Sequence, residues 1–301
     1  KIEIEPVGAA GTIQVTETGN EIVIEGNNFN YTMDKTTGRF NSLKLKGTEY
    51  LAKGPEFNIW RAPLGNDFDP WGSYMYISTN VTPGLGRSID NQLRTLGLRD
   101  LENEVAGIQL KEISDSKVQV ILHAFSNSSK APQMGGRFSA FERKEVWTFS
   151  ADGTIELQQE IIPNGTMPDM LPKIGLQFQL PKEFSNMEWY GRGPFETYPD
   201  RKTAAKAGIY QSNADEMFVP YLIPQDYGNR TDVRWLKVTD DKGKGLLIKG
   251  DELLNFSLHK YTTDNLSRAM YPFQLKEAPN TTLNVDYEVS GVGGTAVRQL
   301  Q

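Results

Sequence analysis

The sequence predicts an all-β protein in which antiparallel sheets pack against one another. Apolar and polar residues alternate along many short stretches, and Gly, Asn, Asp and Pro separate these stretches from one another. Helical periodicity is rare, so the apolar strand faces must be buried sheet against sheet. The predicted fold class is therefore an antiparallel sandwich.

The clearest strands lie at residues 174–180 and 283–289, where the alternation is strict and one buried face is expected for each. Asp152-Gly153 joins the stretches 145–149 and 155–161 and predicts a tight hairpin, because glycine accepts the positive φ of such turns. More than a dozen strands are expected, the others lying near residues 21–25, 28–33, 117–124, 233–239, 245–249 and 254–259.

One helix is predicted, at residues 90–96. Asp90 is its expected N-cap, and Leu93 and Leu96 recur three residues apart. Residues 1–10 have the composition of a linker or of the end of a preceding domain, and residues 11–301 are predicted to form one domain.

Composition excludes several classes of function. The net charge of -6 carries no basic block that would neutralise phosphates, so we expect no nucleic-acid partner. No apolar stretch approaches the ~20 residues of a membrane span, so no membrane partner is expected. With no cysteine and two histidines, the chain cannot build a thiolate or histidine-rich metal centre, and we expect no metal or cofactor in it.

The densest group of aromatic, charged and turn residues is WYGRGPFETYPDRK at residues 189–202. We favour a structural interpretation, in which the polar side chains of this loop bond to one another, over a sugar-binding one. Three further motifs stand out: WRAPLGND at residues 60–67, MFVPYLIP at 217–224 followed by QDYGN, and the glycine-rich stretch at 291–294.

In order and spacing, these four motifs resemble the C-terminal, small-chain domain of bacterial glycoside hydrolase family 2 β-galactosidases, over residues 20–297. The resemblance implies an antiparallel supersandwich of the galactose mutarotase-like type. It also implies a parent enzyme that hydrolyses terminal β-D-galactosyl residues with retention and uses Mg²⁺ or Na⁺. The catalytic glutamates of that family belong to a barrel domain, and nothing in this chain resembles that barrel.

We therefore expect the chain to be inactive alone, with no catalytic residue of its own. Its expected role is to complete the substrate-side wall of the parent active site and to support assembly. The implied partners are the remaining domains of the parent enzyme and a galactoside substrate, while a homo-oligomer and the cellular compartment stay open.

Two groups of residues are candidates for carbohydrate binding or for a loop network. In sequence order they are Trp60, Arg61, Asn66 and Asp67, then Trp189, Glu196, Tyr198 and Arg201. Trp71, Tyr74 and Tyr76 follow the first group. Family members carry a platform tryptophan just beyond the glycine-rich turn, whereas this sequence has Val297 or Arg298 there, which makes Arg298 a further candidate for bonds to sugar hydroxyls.

Two alternative functions remain open. A stand-alone carbohydrate-binding module would use the aromatic residues as platforms. A mutarotase-like epimerase would need His123 or His259 as its acid, and neither lies in a mutarotase-like motif. We expect His259 to be a surface or edge residue, and we give His123 a similar structural interpretation.

Overall fold

The computed structural model describes residues 11–67, 89–129, 139–168 and 170–293, and within these ranges it confirms the all-β, antiparallel prediction. The strands in chain order are β1 (Gln14–Glu17), β2 (Glu21–Gly26), β3 (Phe29–Asp34), β4 (Arg39–Leu45), β5 (Thr48–Glu49), β6 (Lys53–Asn58), β7 (Leu101–Ser114), β8 (Lys117–Ser128), β9 (Ser139–Ser150), β10 (Ile155–Gly165), β11 (Lys173–Pro181), β12 (Asn186–Gly193), β13 (Lys206–Asn213), β14 (Arg230–Thr239), β15 (Gly245–His259) and β16 (Asn280–Val289).

Helix is a minor component of the described chain. Helix α1 spans Ile89–Leu96, helix α2 spans Thr263–Arg268, and a 3-10 turn covers Pro272–Gln274. Asp90 lies inside the first turn of α1 and its carboxylate binds Arg94 four residues later, so the predicted N-cap role is wrong. In the described residues, neither helix has the length and apolarity needed to cross a bilayer.

The chain separates into two compact units, and it passes from one to the other three times: within β6, just before β7, and between β10 and β11. Unit 1 is drawn from Lys1–Pro55 and Asp100–Met167, and unit 2 from Glu56–Arg99 and Pro168–Gln301. Our prediction of one domain over residues 11–301 stays a prediction.

Unit 1 is a sandwich of two sheets. One sheet is a meander in the order β1-β2-β3-β4-β5, and the other has the order β10-β9-β8-β7. They pack face to face: the Phe40 ring meets Trp147 edge-on at 5.2 Å, and the Tyr31 hydroxyl donates to the Gly153 carbonyl at 2.7 Å. Gly153 has φ +87 in the turn between β9 and β10, which confirms the predicted hairpin.

Unit 2 is built on a seven-stranded sheet in the order β13-β12-β14-β15-β16-β11-β6. One face is apolar, and there Phe256 of β15 lies edge-on to Trp189 of β12 at 5.5 Å. The other face carries polar residues of β15 and β16, yet it is also buried. The prediction of one buried face for residues 283–289 is therefore wrong, because Asn284 and Asp286 are as inaccessible as Leu283.

Candidate functional site

The candidate site lies in unit 2, where the buried polar face of the seven-stranded sheet meets the four motif loops. The register of β15 and β16 places Asn255 opposite Asp286, Ser257 opposite Asn284, and His259 opposite Thr282. Side chains bond across the strands: Gln177 of β11 donates to Asn284 at 2.9 Å, and Asn284 donates to Ser257 at 3.1 Å. Gln177, Asn284 and Ser257 thus satisfy one another although solvent is excluded, whereas Asp286 Oδ1 and His259 Nδ1 have no hydrogen-bond partner among the described residues.

A buried ion pair lies at one end of the ladder, where Lys173 Nζ is 3.0 Å from Asp286 Oδ2 and both side chains are fully buried. Gly175 faces Asp286 across the strands, and a Cβ there would lie 2.4 Å from the Val285 carbonyl, so only glycine fits. Burial raises the pKa of Asp286 to about 6 in spite of the opposing charge of Lys173.

His259 lies at the other end of the ladder. Its Nε2 is 2.8 Å from the Tyr227 carbonyl, which can only accept, so Nε2 carries the proton and Nδ1 is bare. The Tyr227 ring packs at 4.3 Å from the imidazole, and burial lowers the pKa of His259 below its ordinary value. The prediction of a surface or edge histidine is wrong, because the loop that carries Tyr227 covers the end of β15.

Arg61 is buried at the centre of the first motif, with 1% of its surface exposed. Its guanidinium donates two hydrogen bonds to the Asp67 carboxylate, from Nε to Oδ2 at 3.2 Å and from Nη2 to Oδ1 at 3.0 Å. It also donates to the carbonyls of Ser290 and Gly291, both at 3.1 Å. Burial alone would lower the pKa of Arg61, but the charge of Asp67, the hydrogen bond to it and the charges of Asp226 and Tyr198 together outweigh burial, and the pKa is raised.

The glycine-rich turn is held by two further side chains. Asp200 accepts from the backbone N–H groups of Val292 at 3.0 Å and Gly293 at 2.5 Å, and Asn66 donates to the Val292 carbonyl at 2.5 Å. A Cβ at Gly291 would lie 2.5 Å from Asp200 Cγ, so glycine is what permits this approach. Three of the sequence motifs therefore meet at this turn.

The 189–202 motif is cross-braced at Glu196. One carboxylate oxygen accepts from both Arg201 and the Tyr221 hydroxyl, and the other accepts from the Gly228 N–H at 2.8 Å. Arg201 also lies over the Tyr198 ring at 5.5 Å from its centroid. The structural interpretation of the motif requires bonds of this kind. Glu196 and Asp200, the two carboxylates of the motif that could be assigned a catalytic role, both accept hydrogen bonds from within the chain.

Both tryptophans among the candidates pack inside unit 2. Trp189 is fully buried and donates from Nε1 to the Arg192 carbonyl at 3.0 Å, and the guanidiniums of Arg94 and Arg99 cover Trp60 at 5.5 and 5.8 Å. Neither ring offers an open face to a sugar. Carbohydrate binding by the candidate residues stays a prediction, and Arg298, Trp71, Tyr74 and Tyr76 lie outside the described residues.

The second histidine belongs to unit 1 and takes no part in this polar ladder. His123 Nε2 is 2.9 Å from Glu142 Oε1, and 44% of the His123 side chain is exposed. It is a surface residue, in accord with its structural interpretation.

Sequence reasoning missed Lys173, Asp226, Tyr227 and Asp286 as members of the site. Asp226 is buried, its backbone N–H binds the Ala62 carbonyl at 3.2 Å, and its charge acts on the neighbouring groups Arg61, Tyr198, His259 and Asp286. The alternation in β16 contained a signal for Asp286, but a polar residue at every second position usually indicates a solvated face.

In the described residues, no group of three histidine or acidic side chains has the geometry to hold a metal ion.

Comparison with known proteins decides the family. The sequence matches the family described as β-galactosidase small chain over residues 25–300. This chain belongs to the β-galactosidase small-chain family. The family is the one that the resemblance of the four motifs indicated.

Similar curated proteins carry the name β-galactosidase. The protein of Priestia megaterium is 31% identical over 282 residues, which are 94% of this chain and 24% of that protein. Those of Halalkalibacterium halodurans and Vibrio cholerae are 27% and 28% identical and are matched over 26% and 25% of their lengths. The chain thus spans about a quarter of the length of these relatives.

Among solved structures, a putative mutarotase from Salmonella typhimurium aligns with 93% of this chain and 86% of its own at a TM-score of 0.33 and 11% identity. A similarity at that level carries no argument about function. The fold class rests on the antiparallel sheets and on the family.

Replacing Asp200 by Ala removes the acceptor for two backbone N–H groups of the glycine-rich turn. We expect amide hydrogen exchange at Val292 and Gly293 to accelerate by about tenfold to a hundredfold, because a charge-assisted bond contributes roughly 1.5–3 kcal/mol. Asp251→Ala, at an exposed position of β15, is the matched control and leaves these rates unchanged. Equal exchange rates in the wild type and Asp200→Ala would show that the carboxylate does not hold the turn.

Replacing Asp286 by Asn tests the buried carboxyl through pH. The pKa of Asp286 is about 6 in the folded chain against 3.8 as its ordinary value, so between these values the folded state binds the extra proton. The wild type therefore loses stability as pH rises from about 4 to about 6. The Asp286→Asn variant, which has no carboxyl to titrate at this position, avoids that loss, which is on the order of 2 kcal/mol.

The measurement is the free energy of unfolding in urea at the two ends of that pH range. The control is Asp251→Asn, at an exposed position. Between the two pH values its free energy of unfolding should fall by as much as that of the wild type. An Asp286→Asn chain that loses as much as the wild type over this range contradicts the assignment.

Proposed function

We propose that the chain is the C-terminal domain of a β-galactosidase, where it completes the substrate-side wall of an active site whose catalytic carboxylates lie in another domain. The observation that carries the proposal is the family match over residues 25–300, which coincides with a turn clamped by Arg61, Asn66 and Asp200. Retaining glycoside hydrolysis needs two free carboxyl groups about 5–5.5 Å apart. Glu196 and Asp200, the acidic residues of the motif loop, are both engaged in bonds that brace it.

The clamped turn gives the domain a means of acting on the parent active site. Its backbone is fixed on both sides, by Arg61 at the carbonyls of Ser290 and Gly291 and by Asp200 at the next two N–H groups. The chain continues from this turn to the position where the resembled family carries its platform residue. The turn itself is therefore a rigid element on which a site can be built.

Two alternative functions receive less support. A stand-alone carbohydrate-binding module needs an open aromatic face, and Trp60 and Trp189 are covered. An epimerase needs a histidine that can give a proton to the sugar ring. His259 holds its only proton against the Tyr227 carbonyl, and burial keeps the imidazole neutral. Binding of Mg²⁺ or Na⁺ by the parent enzyme, its other domains as partners, and the galactoside substrate belong to the same proposal.

The test compares hydrolysis of o-nitrophenyl β-D-galactoside by this chain with hydrolysis by the full-length polypeptide that contains it. We expect no turnover by the chain alone and ready turnover by the full-length protein. In that protein, Asp200→Ala should lower kcat/KM about tenfold because the turn loses its anchor, whereas Asp251→Ala should not change it. Turnover by the chain alone, or none by the full-length protein, would overturn the proposal.

A further inference from the structure

One asparagine in the sequence is followed directly by glycine, and the pair is Asn164-Gly165. Glycine has no side chain, so its backbone nitrogen can approach the side-chain carbonyl of the preceding residue without steric hindrance. That approach is the first step of asparagine deamidation, a modification that needs no enzyme. In a folded chain, the step depends on the exposure of the pair and on what holds the glycine N–H.

Asn164 and Gly165 are the last two residues of β10, and both are exposed. Strand β10 lies at the edge of its four-stranded sheet, so among the described strands only β9 pairs with it. Gly165 has φ +81, a value that glycine adopts without strain. Strand ends open locally at a low cost in free energy, so the backbone at this end of β10 can reach the geometry that ring closure requires.

The register of β9 and β10 leaves the Gly165 N–H without a partner in the ladder. Ser150 N–H donates to the Thr154 carbonyl at 3.0 Å, and hydrogen-bonded pairs alternate with non-bonded pairs along an antiparallel ladder. The register runs without interruption from that turn to Asn164, which lies opposite Ala140. Counting in steps of two, Asn164 and Ala140 form a hydrogen-bonded pair, whereas Gly165 belongs to a non-bonded pair. The Gly165 N–H therefore points away from β9, toward the free edge of the sheet.

The other glycine turn of this sheet, Asp152-Gly153, differs in both reacting groups. Gly153 N–H donates to the Ser150 carbonyl at 2.8 Å. Asp152 Oδ1 accepts from Thr154 N–H at 2.9 Å. Because the backbone nitrogen and the side chain are both engaged, the fold protects this pair from the equivalent reaction.

Asn41 is a matched site at which the fold is also protective. It is exposed and is followed by the small residue Ser42. However, β4 lies between β3 and β5, and Asn41 Nδ2 donates to Glu21 Oε1 at 3.0 Å. The Asn164-Gly165 pair thus combines an exposed amide, an unhindered nitrogen and a strand end at a sheet edge.

We propose that Asn164 is a site of spontaneous deamidation, with the Gly165 backbone nitrogen as the attacking group. A bond forms between Gly165 N and Asn164 Cγ, and the bond from Cγ to the side-chain nitrogen breaks. That nitrogen leaves as ammonia and takes the proton that the Gly165 N–H loses. Water then opens the resulting succinimide ring at one of its two carbonyls, which gives aspartate or isoaspartate without any oxidant or reductant.

The modification changes both the charge and the backbone at the end of β10. Either product replaces a neutral amide by a carboxylate, in a chain whose net charge is already -6. Isoaspartate also routes the backbone through the former side chain and lengthens it by a methylene group, so the pair of Asn164 with Ala140 cannot keep its register. The chain leaves unit 1 at Met167, so the change alters the segment that leads from one unit to the next.

The first test compares deamidation of the folded chain with that of the chain unfolded in urea, at the same mildly alkaline pH and temperature. Mass spectrometry of peptides gives the rates at Asn164 and at Asn41, and the ratio of the two conditions at each site cancels the effect of local sequence. We expect folding to slow Asn41 at least about tenfold more than Asn164, because a central strand opens less often than a strand end. Equal slowing at the two sites, or stronger slowing at Asn164, overturns the proposal.

The second test identifies the product by enzymatic methylation of isoaspartate in aged samples of the wild type and of Asn164→Gln. The variant keeps the side-chain amide, but its additional methylene group requires a larger ring, which closes more slowly. We expect isoaspartate at residue 164 of the wild type, at least about tenfold less in the variant, and faster amide hydrogen exchange at Ala140 in the aged wild type than in the fresh one. Aspartate without isoaspartate at this position would show that Gly165 is not the attacking group, and it contradicts the proposal.

Discussion

The buried guanidinium of Arg61 is the interaction on which the site depends. It joins Asp67, six residues away, to the carbonyls of Ser290 and Gly291 at the far end of the chain. A buried charge costs several kcal/mol unless it is paired, so Arg61 can be buried because Asp67 and the two carbonyls of the turn after β16 pair it. Asn66 and Asp200 then extend the same connection to Val292 and Gly293.

Burial of the polar face of the seven-stranded sheet is the second constraint. A sheet with one apolar face would ordinarily leave the other to water, but here the loop with Asp226 and Tyr227 covers the ends of β15 and β16. The covered face must then satisfy its polar groups internally, as Gln177, Asn284 and Ser257 do. As a consequence, burial favours the neutral forms of two titratable groups: it raises the pKa of Asp286 and lowers the pKa of His259.

The strands were predictable because period-2 alternation is a local property of the sequence, and the Asp152-Gly153 hairpin followed from the φ that its glycine adopts. Helix α2 was not predictable, since six residues give too few turns for a periodic pattern; its start is set by the Thr262 hydroxyl accepting from Asn265 N–H. The burial of His259 and Asp286 was missed because it depends on a covering loop distant in sequence. The motifs identified the right loops, but the bond from Asp200 to Gly293 joins residues 93 apart, and no local pattern encodes such a contact.

A double-mutant cycle on Arg61 and Asp67 tests the central claim most directly. The free energies of unfolding of the wild type, Arg61→Met, Asp67→Leu and the double variant give the coupling energy of the pair. Each single change leaves its partner buried and unpaired, so each should cost roughly 3–5 kcal/mol, and the double variant should cost much less than their sum. Costs that add to within about 0.5 kcal/mol would contradict the account, because they would show that the two side chains do not act as one buried unit.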